Sequence, residues 1–217
     1  MAFANYTELV AEIITRTKRT DQAALVPTYI LLAEAQISRT LRVRQMLGRS
    51  NATIDAEYSA LPSDYAGLRS ILLTTGSQEL QPLSADEMEA RSLLDTGTGE
   101  PMHYAVEGTE LRFSPVPSGS YTARLSYYRR IPGLQANATN WLLTAYPDAY
   151  LYGALEQFGL HVEDDVTAAK YGALFQRTLA EIKRIDSHER ISGSRLRSDF
   201  PTQNGGTSLN DFLHGRA

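Results

Sequence analysis

The spacing of apolar residues changes period twice along this chain, and that change limits the fold more than any composition figure. From Asn5 to about Gly48 apolar residues recur at intervals of three and four: Tyr6, Leu9, Val10, Ile13 and Ile14, then Ile30, Ala33, Ile37 and Leu41. This is the spacing of helices that bury one face. Asn5 and Glu8 stand three apart, as a capping pair does. Asp21 suits the cap of a second element, and Pro27 suits the first turn of a helix, where a missing N–H costs little. From Ser50 to about Ile131 the period falls to two, with Ala123, Leu125 and Tyr127 alternating with Arg124 and Ser126. Asn51–Tyr58 and Leu68–Thr74 read as strands joined by a Pro62-Ser63-Asp64 turn. Glu107-Gly108-Thr109 between two short apolar runs reads as a hairpin. Ser84 and Glu87 cap a short helix over Ala85–Leu94 inside this stretch. From Asn140 the helical period returns through Tyr150, Leu151, Ala154, Leu155 and Phe158. It continues through Tyr171, Phe175, Ile182 and Ile185 to about Arg190.

These periods predict an α+β chain: a four-helix bundle with an inserted small antiparallel β-region and an extended C-terminal arm. The expected divisions are 1–49 for a first helix pair, 50–135 for the β-rich insert, 136–190 for a second helix pair and 191–217 for the arm. The arm segment is too rich in serine and glycine to hold a core. Yet Phe200, Pro201, Leu209, Phe212 and Leu213 are too apolar for an idle linker, which suits a segment that docks on a partner.

Composition narrows the function classes. The chain has 217 residues, no cysteine and a net charge of -4. Without thiols there is neither a disulfide nor a thiolate metal site. An acid excess argues against a protein whose task is to grip nucleic acid through phosphates. No apolar run approaches the roughly 20 residues that a membrane helix requires. The first residues lack the charged and apolar blocks of a signal peptide. The charge is unevenly spread, with a balance of +3 over residues 1–50 and -5 over residues 51–143.

The catalytic patterns fail in turn. Asp95-Thr96-Gly97 copies the motif of a paired-carboxylate protease, but it follows a charged helical stretch rather than a buried strand. It reads as a helix end with a glycine stop. His103, His161, His188 and His214 share no metal-binding spacing. No glycine loop of the phosphate-cradling kinds is present, and no Gly-x-Ser-x-Gly. The expectation is therefore no enzyme, no cofactor and no metal.

Two clusters suit contact between proteins. Arg39, Arg42, Arg44 and Arg49 gather at the end of the second helix and just after it. They are either cations favoured at a helix C-terminus or contacts for a neighbouring subunit's carboxylates or for phosphate. Tyr150 and Tyr152 project about 200° apart around a helix, so one can pack inward while the other meets a neighbour.

Four patches carry a family resemblance. They are Leu61-Pro62-Ser63-Asp64-Tyr65 with Leu68-Arg69-Ser70, Glu110 to Pro117, Tyr127-Tyr128-Arg129-Arg130-Ile131-Pro132, and Asn140-Trp141-Leu142-Leu143 with Pro147 to Leu155. Together they resemble the head-to-tail adaptor, or connector, proteins of tailed bacteriophages. The resemblance implies a structural protein of the virion neck, made in the host cytoplasm. It implies a homo-oligomeric ring, a dodecamer, that docks on the portal protein and meets the tail or the next neck protein. DNA would pass through its channel without sequence-specific binding, and no membrane is involved. The other class considered is a DNA-binding or packaging accessory protein, for which the helix-end arginines are the candidate patch.

Overall fold

The structure is a computed structural model, and it describes residues 5–74, 77–94 and 96–191. Among these it holds helices α1 (Tyr6–Thr17), α2 (Val26–Thr40), α3 (Ala85–Leu94), α4 (Trp141–Ala145), α5 (Pro147–His161) and α6 (Asp165–Ile191). Its strands are β1 (Leu47–Ile54), β2 (Tyr58–Ala60), β3 (Tyr65–Leu73), β4 (Gln78–Glu79), β5 (Gln81–Pro82), β6 (Thr98–Gly99), β7 (His103–Glu107), β8 (Glu110–Ser114), β9 (Val116–Pro117) and β10 (Tyr121–Arg129).

The Asn5 and Ser84 caps form as the spacing predicts, whereas Asp21 lies within the 3-10 turn Thr20–Leu25, paired with Arg19, and α2 opens at Val26 without a side-chain cap. The Asn5 side chain accepts from the Glu8 N–H at 3.0 Å and opens α1. Lys18 closes that helix in the left-handed region at φ 52°. Ser84 and Glu87 cap α3 reciprocally, the Glu87 carboxylate taking the Ser84 N–H at 2.9 Å and the Ser84 hydroxyl taking the Glu87 N–H at 3.2 Å. Pro27 and Pro147 both stand in the first turn of their helices. Gly108, at φ +61°, makes the turn between β7 and β8.

The α+β class holds, but the chain is not a four-helix bundle with a small β-region. Among the described residues there are six helices and ten strands in three sheets. Two facts overturn the expected architecture. First, α5 is not one side of a closed ring of helices. It lies at the centre, packed mainly on α6 and α2 and more lightly on α1. Its buried residues (Ala149, Tyr150, Leu151, Gly153, Ala154, Leu155, Phe158 and Gly159) cover most of its circumference, as a largely enclosed helix requires. A Cβ on Gly153 would stand 2.8 Å from Ala33 of α2, and one on Gly159 would stand 2.6 Å from the Ala168 backbone of α6. Those glycines are what lets the neighbours come so close.

Second, the β-region has its own core. One sheet runs β1-β10-β3-β4 and the other β2-β8-β7-β5, with β6 and β9 as a separate parallel pair. Their inner faces meet through Ile54, Ile71, Leu73, Ala123, Leu125 and Tyr127 from the first sheet and Tyr104, Leu111 and Phe113 from the second. The result is a β-sandwich beside a helical layer, each with a separate cluster of buried residues. The region is not purely antiparallel either, because β5 runs parallel to β7. Alternation along a strand specifies an apolar face, and an apolar face needs a second layer to cover it.

The two cores are joined at the end of β10. Tyr127 belongs to the sandwich core, while the next residue, Tyr128, packs against the helical core. Beyond them Asn140, 8% exposed, links the strand exit to the helices. Its side-chain oxygen caps α4 through the Leu143 N–H at 2.9 Å. Its amide donates to the Pro132 carbonyl at 2.8 Å and to the Tyr150 hydroxyl at 2.7 Å. Burial and the nearby Glu34 charge push the Tyr150 hydroxyl well above the usual tyrosine range, against the opposing effect of the Asn140 bond.

Asn140→Ala removes a helix cap and leaves buried polar groups unpaired, so it is expected to cost about 2–4 kcal/mol in denaturant unfolding. A loss below about 0.5 kcal/mol would show that the joint is not under load. Glu34 provides a pH-dependent test. Burial raises its carboxyl, while the Leu134 N–H bonded to it at 2.7 Å works the other way. A carboxyl raised in the folded state loses stability as pH climbs through its titration. Glu34→Gln keeps the acceptor for Leu134. It should match wild type near pH ~4 and exceed it at pH ~7, judged by urea midpoints. Wild type gaining on the variant as pH rises would contradict this.

Candidate assembly surfaces

The arginines at the end of α2 tie elements of this chain together. Arg42 donates to the carbonyls of Ser38 at 2.7 Å and Leu41 at 2.6 Å, and across to Ala66 of β3 at 2.9 Å. It therefore both caps α2 and clamps it to the first sheet. The Arg44 N–H donates to Asp186 of α6 at 2.8 Å, and its guanidinium pairs with Glu189. Asp186, with a side chain 6% exposed, also holds Arg190 at 2.7 Å. Arg190 in turn reaches the Arg42 carbonyl at 3.2 Å. The periodicity of α6 predicts its apolar side but not this carboxylate, because an acid two turns from a helix end reads as solvated. Arg39 is exposed and makes no ion pair among the described residues.

The tyrosines part as their angular separation requires. Tyr150 is 1% exposed and lies inside the helical core, where it serves Asn140. Tyr152 is half-buried and stacks on Tyr171 of α6, with ring centres 6.2 Å apart. Phe200, Pro201, Leu209, Phe212 and Leu213 lie outside the described residues, as do Asp95 and His214.

The sandwich carries two further charged features that spacing alone does not reveal. Arg112 of β8 lies within salt-bridge range of Glu57 at 2.8 Å, Glu89 of α3 at 2.7 Å and Glu107 of β7 at 3.6 Å. It also covers the Tyr58 ring at 5.6 Å. These partners raise its already high pKa, the Glu89 hydrogen bond foremost. On the first sheet, Arg49, Arg69, Ser70 and Ser126 line an open groove of about 520 Å³ floored by Leu47 and Gly48.

No group of His, Asp and Glu suited to a metal ion occurs among the described residues. His103, opposite Ser114 on β8, has its imidazole pushed below the usual range by burial and by Arg91. No helix among the described residues is long and apolar enough to cross a membrane.

The patches that the sequence singles out form one connected joint. The Tyr127 hydroxyl donates to Asp64 at 2.9 Å, and the Arg130 N–H donates to the Asp64 carbonyl at 2.7 Å. The Leu61 N–H donates to the Thr109 carbonyl at 2.9 Å, beside the start of β8. Asn140 then passes the chain on to α4 and α5. The family model of the SU10 adaptor protein matches residues 4–199, which takes in this joint and both cores. The chain belongs to the SU10 adaptor protein family. No curated protein matches it. Membership implies a structural role as a phage adaptor, in the virion neck, connected with portal and tail components. A structural adaptor family also implies a role that is not enzymatic.

Asp186 anchors α6 to the segment after α2. Asp186→Ala is expected to cost about 1–3 kcal/mol, because it strips partners from Arg44 and Arg190, which remain near water. It should also speed amide exchange in the last turns of α6. Unchanged exchange in those turns would show that α6 is held by its apolar face alone.

Proposed function

We propose that this SU10-family adaptor forms a dodecameric ring that docks on the portal, joins the capsid to the tail and leaves a channel for DNA. The observation that carries the proposal is the family match across residues 4–199, spanning the helical layer and the sandwich alike. The physical features agree with an assembly role. The chain is acidic overall, with a net charge of -4, which does not favour holding DNA that must slide past. A subunit with different charged faces suits heterologous contacts, in which one face meets a different face of the next copy and the rotation closes a ring.

Within this proposal Arg39 and Tyr152 contact neighbouring subunits, since both reach the surface. Arg42 and Arg44, also exposed, join that contact while their bonds to β3 and α6 hold them in place. Tyr150 is committed to the core and takes no part. The C-terminal arm docks on the portal through Phe200, Pro201, Leu209, Phe212 and Leu213, apolar anchors separated by a glycine pair. Such an arm exchanges affinity for reach.

Electron microscopy of the full chain mixed with the portal ring of its own phage tests the proposal. A twelvefold layer stacked on the portal is the expected image. Bare portals beside free protein, well above micromolar concentration, would overturn it. Deleting 192–217 should leave the unfolding free energy within about 0.5 kcal/mol of wild type, since α6 and both cores remain, and should abolish portal capture. Undiminished capture by the truncated chain would remove the arm from the docking contact.

A further inference from the structure

The two outer faces of the β-sandwich carry opposite charge. The sheets share one core, so their outer faces look away from each other. On the first sheet the register places Arg49 opposite Ser126 and Ser126 opposite Ser70, and it places Asn51 opposite Arg124. Residues directly opposite one another share a face. Arg69 falls at the register shift between Ser126 and Tyr127 and lines the same groove. Arg49, Arg69 and Arg124 are all exposed, and none makes an ion pair among the described residues. Glu79, in register with Leu72 on the edge strand, is the carboxylate that shares this face, and it stands two strands away from Arg124.

The second sheet is the reverse. α3 covers part of its outer face and buries Arg112 there, while the carboxylates that outnumber it, Glu57, Glu89 and Glu107, reach the surface around that helix. Glu110 lies directly opposite Glu107 across the β7–β8 hairpin and has no ion-pair partner among the described residues. Like charges held in direct cross-strand register destabilise a hairpin, and the one guanidinium beside them is shared with two other carboxylates. Arg91 of α3 offsets part of this excess, next to His103. The face remains net negative.

We infer that the arginine face of one copy seats on the carboxylate face of the next copy, so that the β-sandwiches form a charge-matched, head-to-tail contact. This rests on the ring proposed above and specifies which surfaces close it. Two observations favour a second copy over a nucleic acid as the occupant. The chain itself offers a carboxylate surface of matching charge on the opposite face of the same sandwich. The remainder of the subunit is acidic and repels phosphate. Because the contact is heterologous, every copy presents both halves, and the pairing extends until the ring closes.

Charge reversal in full-length protein tests this. One variant carries Arg49→Glu, Arg69→Glu and Arg124→Glu; another carries Glu107→Lys and Glu110→Lys. Circular dichroism confirms that each folds. Assembly is read by sedimentation velocity alone and by electron microscopy on the portal ring. Each variant by itself should fail to form the layer, since both of its faces then share one sign. An equimolar mixture should restore it, because each reversed face finds its opposite on the other variant. Restoration by mixing is a result that misfolding cannot produce.

Layers formed as well by either variant alone as by wild type would overturn the inference while leaving the adaptor proposal intact. Variants that fail alone and fail mixed would also overturn it. In that case salt-dependent binding of a random-sequence DNA duplex, lost only in the arginine variant, would reassign that face to phosphates. If wild type itself builds no layer on the portal, the ring proposal falls first and this contact with it.

Discussion

One amide side chain holds the architecture together. Asn140 caps α4, donates to the Pro132 carbonyl just past the strand exit and donates to the hydroxyl of Tyr150 in the middle of the helical core. Each of those bonds joins a different part of the chain, and all are shielded from water, where an unmade hydrogen bond is expensive. This knot acts beside two direct ties between the layers, the Arg42 clamp on β3 and Tyr128 packed on the helical core. With it, the angle at which β10 hands over to α4 and α5 is set by hydrogen-bond geometry. An adaptor that must sit between other large assemblies has a use for such a rigid joint. The neighbouring bonds of Asp64 to Tyr127 and to the Arg130 N–H brace the same exit from the other side.

The alternation of β10 extends that logic. Successive side chains of a strand point to opposite faces, so Tyr127 and Tyr128 serve different cores by necessity. The sheet is therefore a partition. One of its faces is covered by the second sheet throughout. The other is covered by helices at the Tyr128 end, where Arg42 clamps α2 to β3, and is open where Arg49, Arg69 and Arg124 stand. The open portion is what remains once the helical layer runs out, and its arginines keep it from being a sticky apolar surface.

Sequence periodicity located almost every long element, because capping residues mark their own ends. Asn5, Ser84 with Glu87 and Asn140 each begin the helix that they were expected to begin. Periodicity could not reveal how the elements stack. The stripe Tyr150, Leu151, Ala154, Leu155 and Phe158 looks like one side of a bundle helix, but Gly153 and Gly159 extend the buried part around most of its circumference. Glycine adds nothing to a hydrophobic pattern, so the close approach of α2 and α6 left no apolar signal. The stretch Asn51–Tyr58 was read as one strand, whereas the chain leaves the first sheet after Ile54 and joins the second at Tyr58. That crossing is what turns a small β-region into a sandwich. Short strands of two residues, such as β4 and β5, fall below any periodic signal.

The charged surfaces were the least legible part for a similar reason. Arg49, Arg69 and Arg124 are scattered over 76 positions of sequence, and only strand register gathers them. The acid excess of residues 51–143 is visible as a sum, but the sum hides Arg69 and Arg124, which join Arg49 on one face, and it places the contrast between segments rather than between faces. Electrostatic pairing of this kind sets orientation and register more than raw affinity. It also weakens with ionic strength when the pairs remain near water. A ring closed by such faces would assemble reversibly until apolar contacts, or the portal itself, lock it. That order of events lets a misplaced subunit leave before the layer becomes permanent.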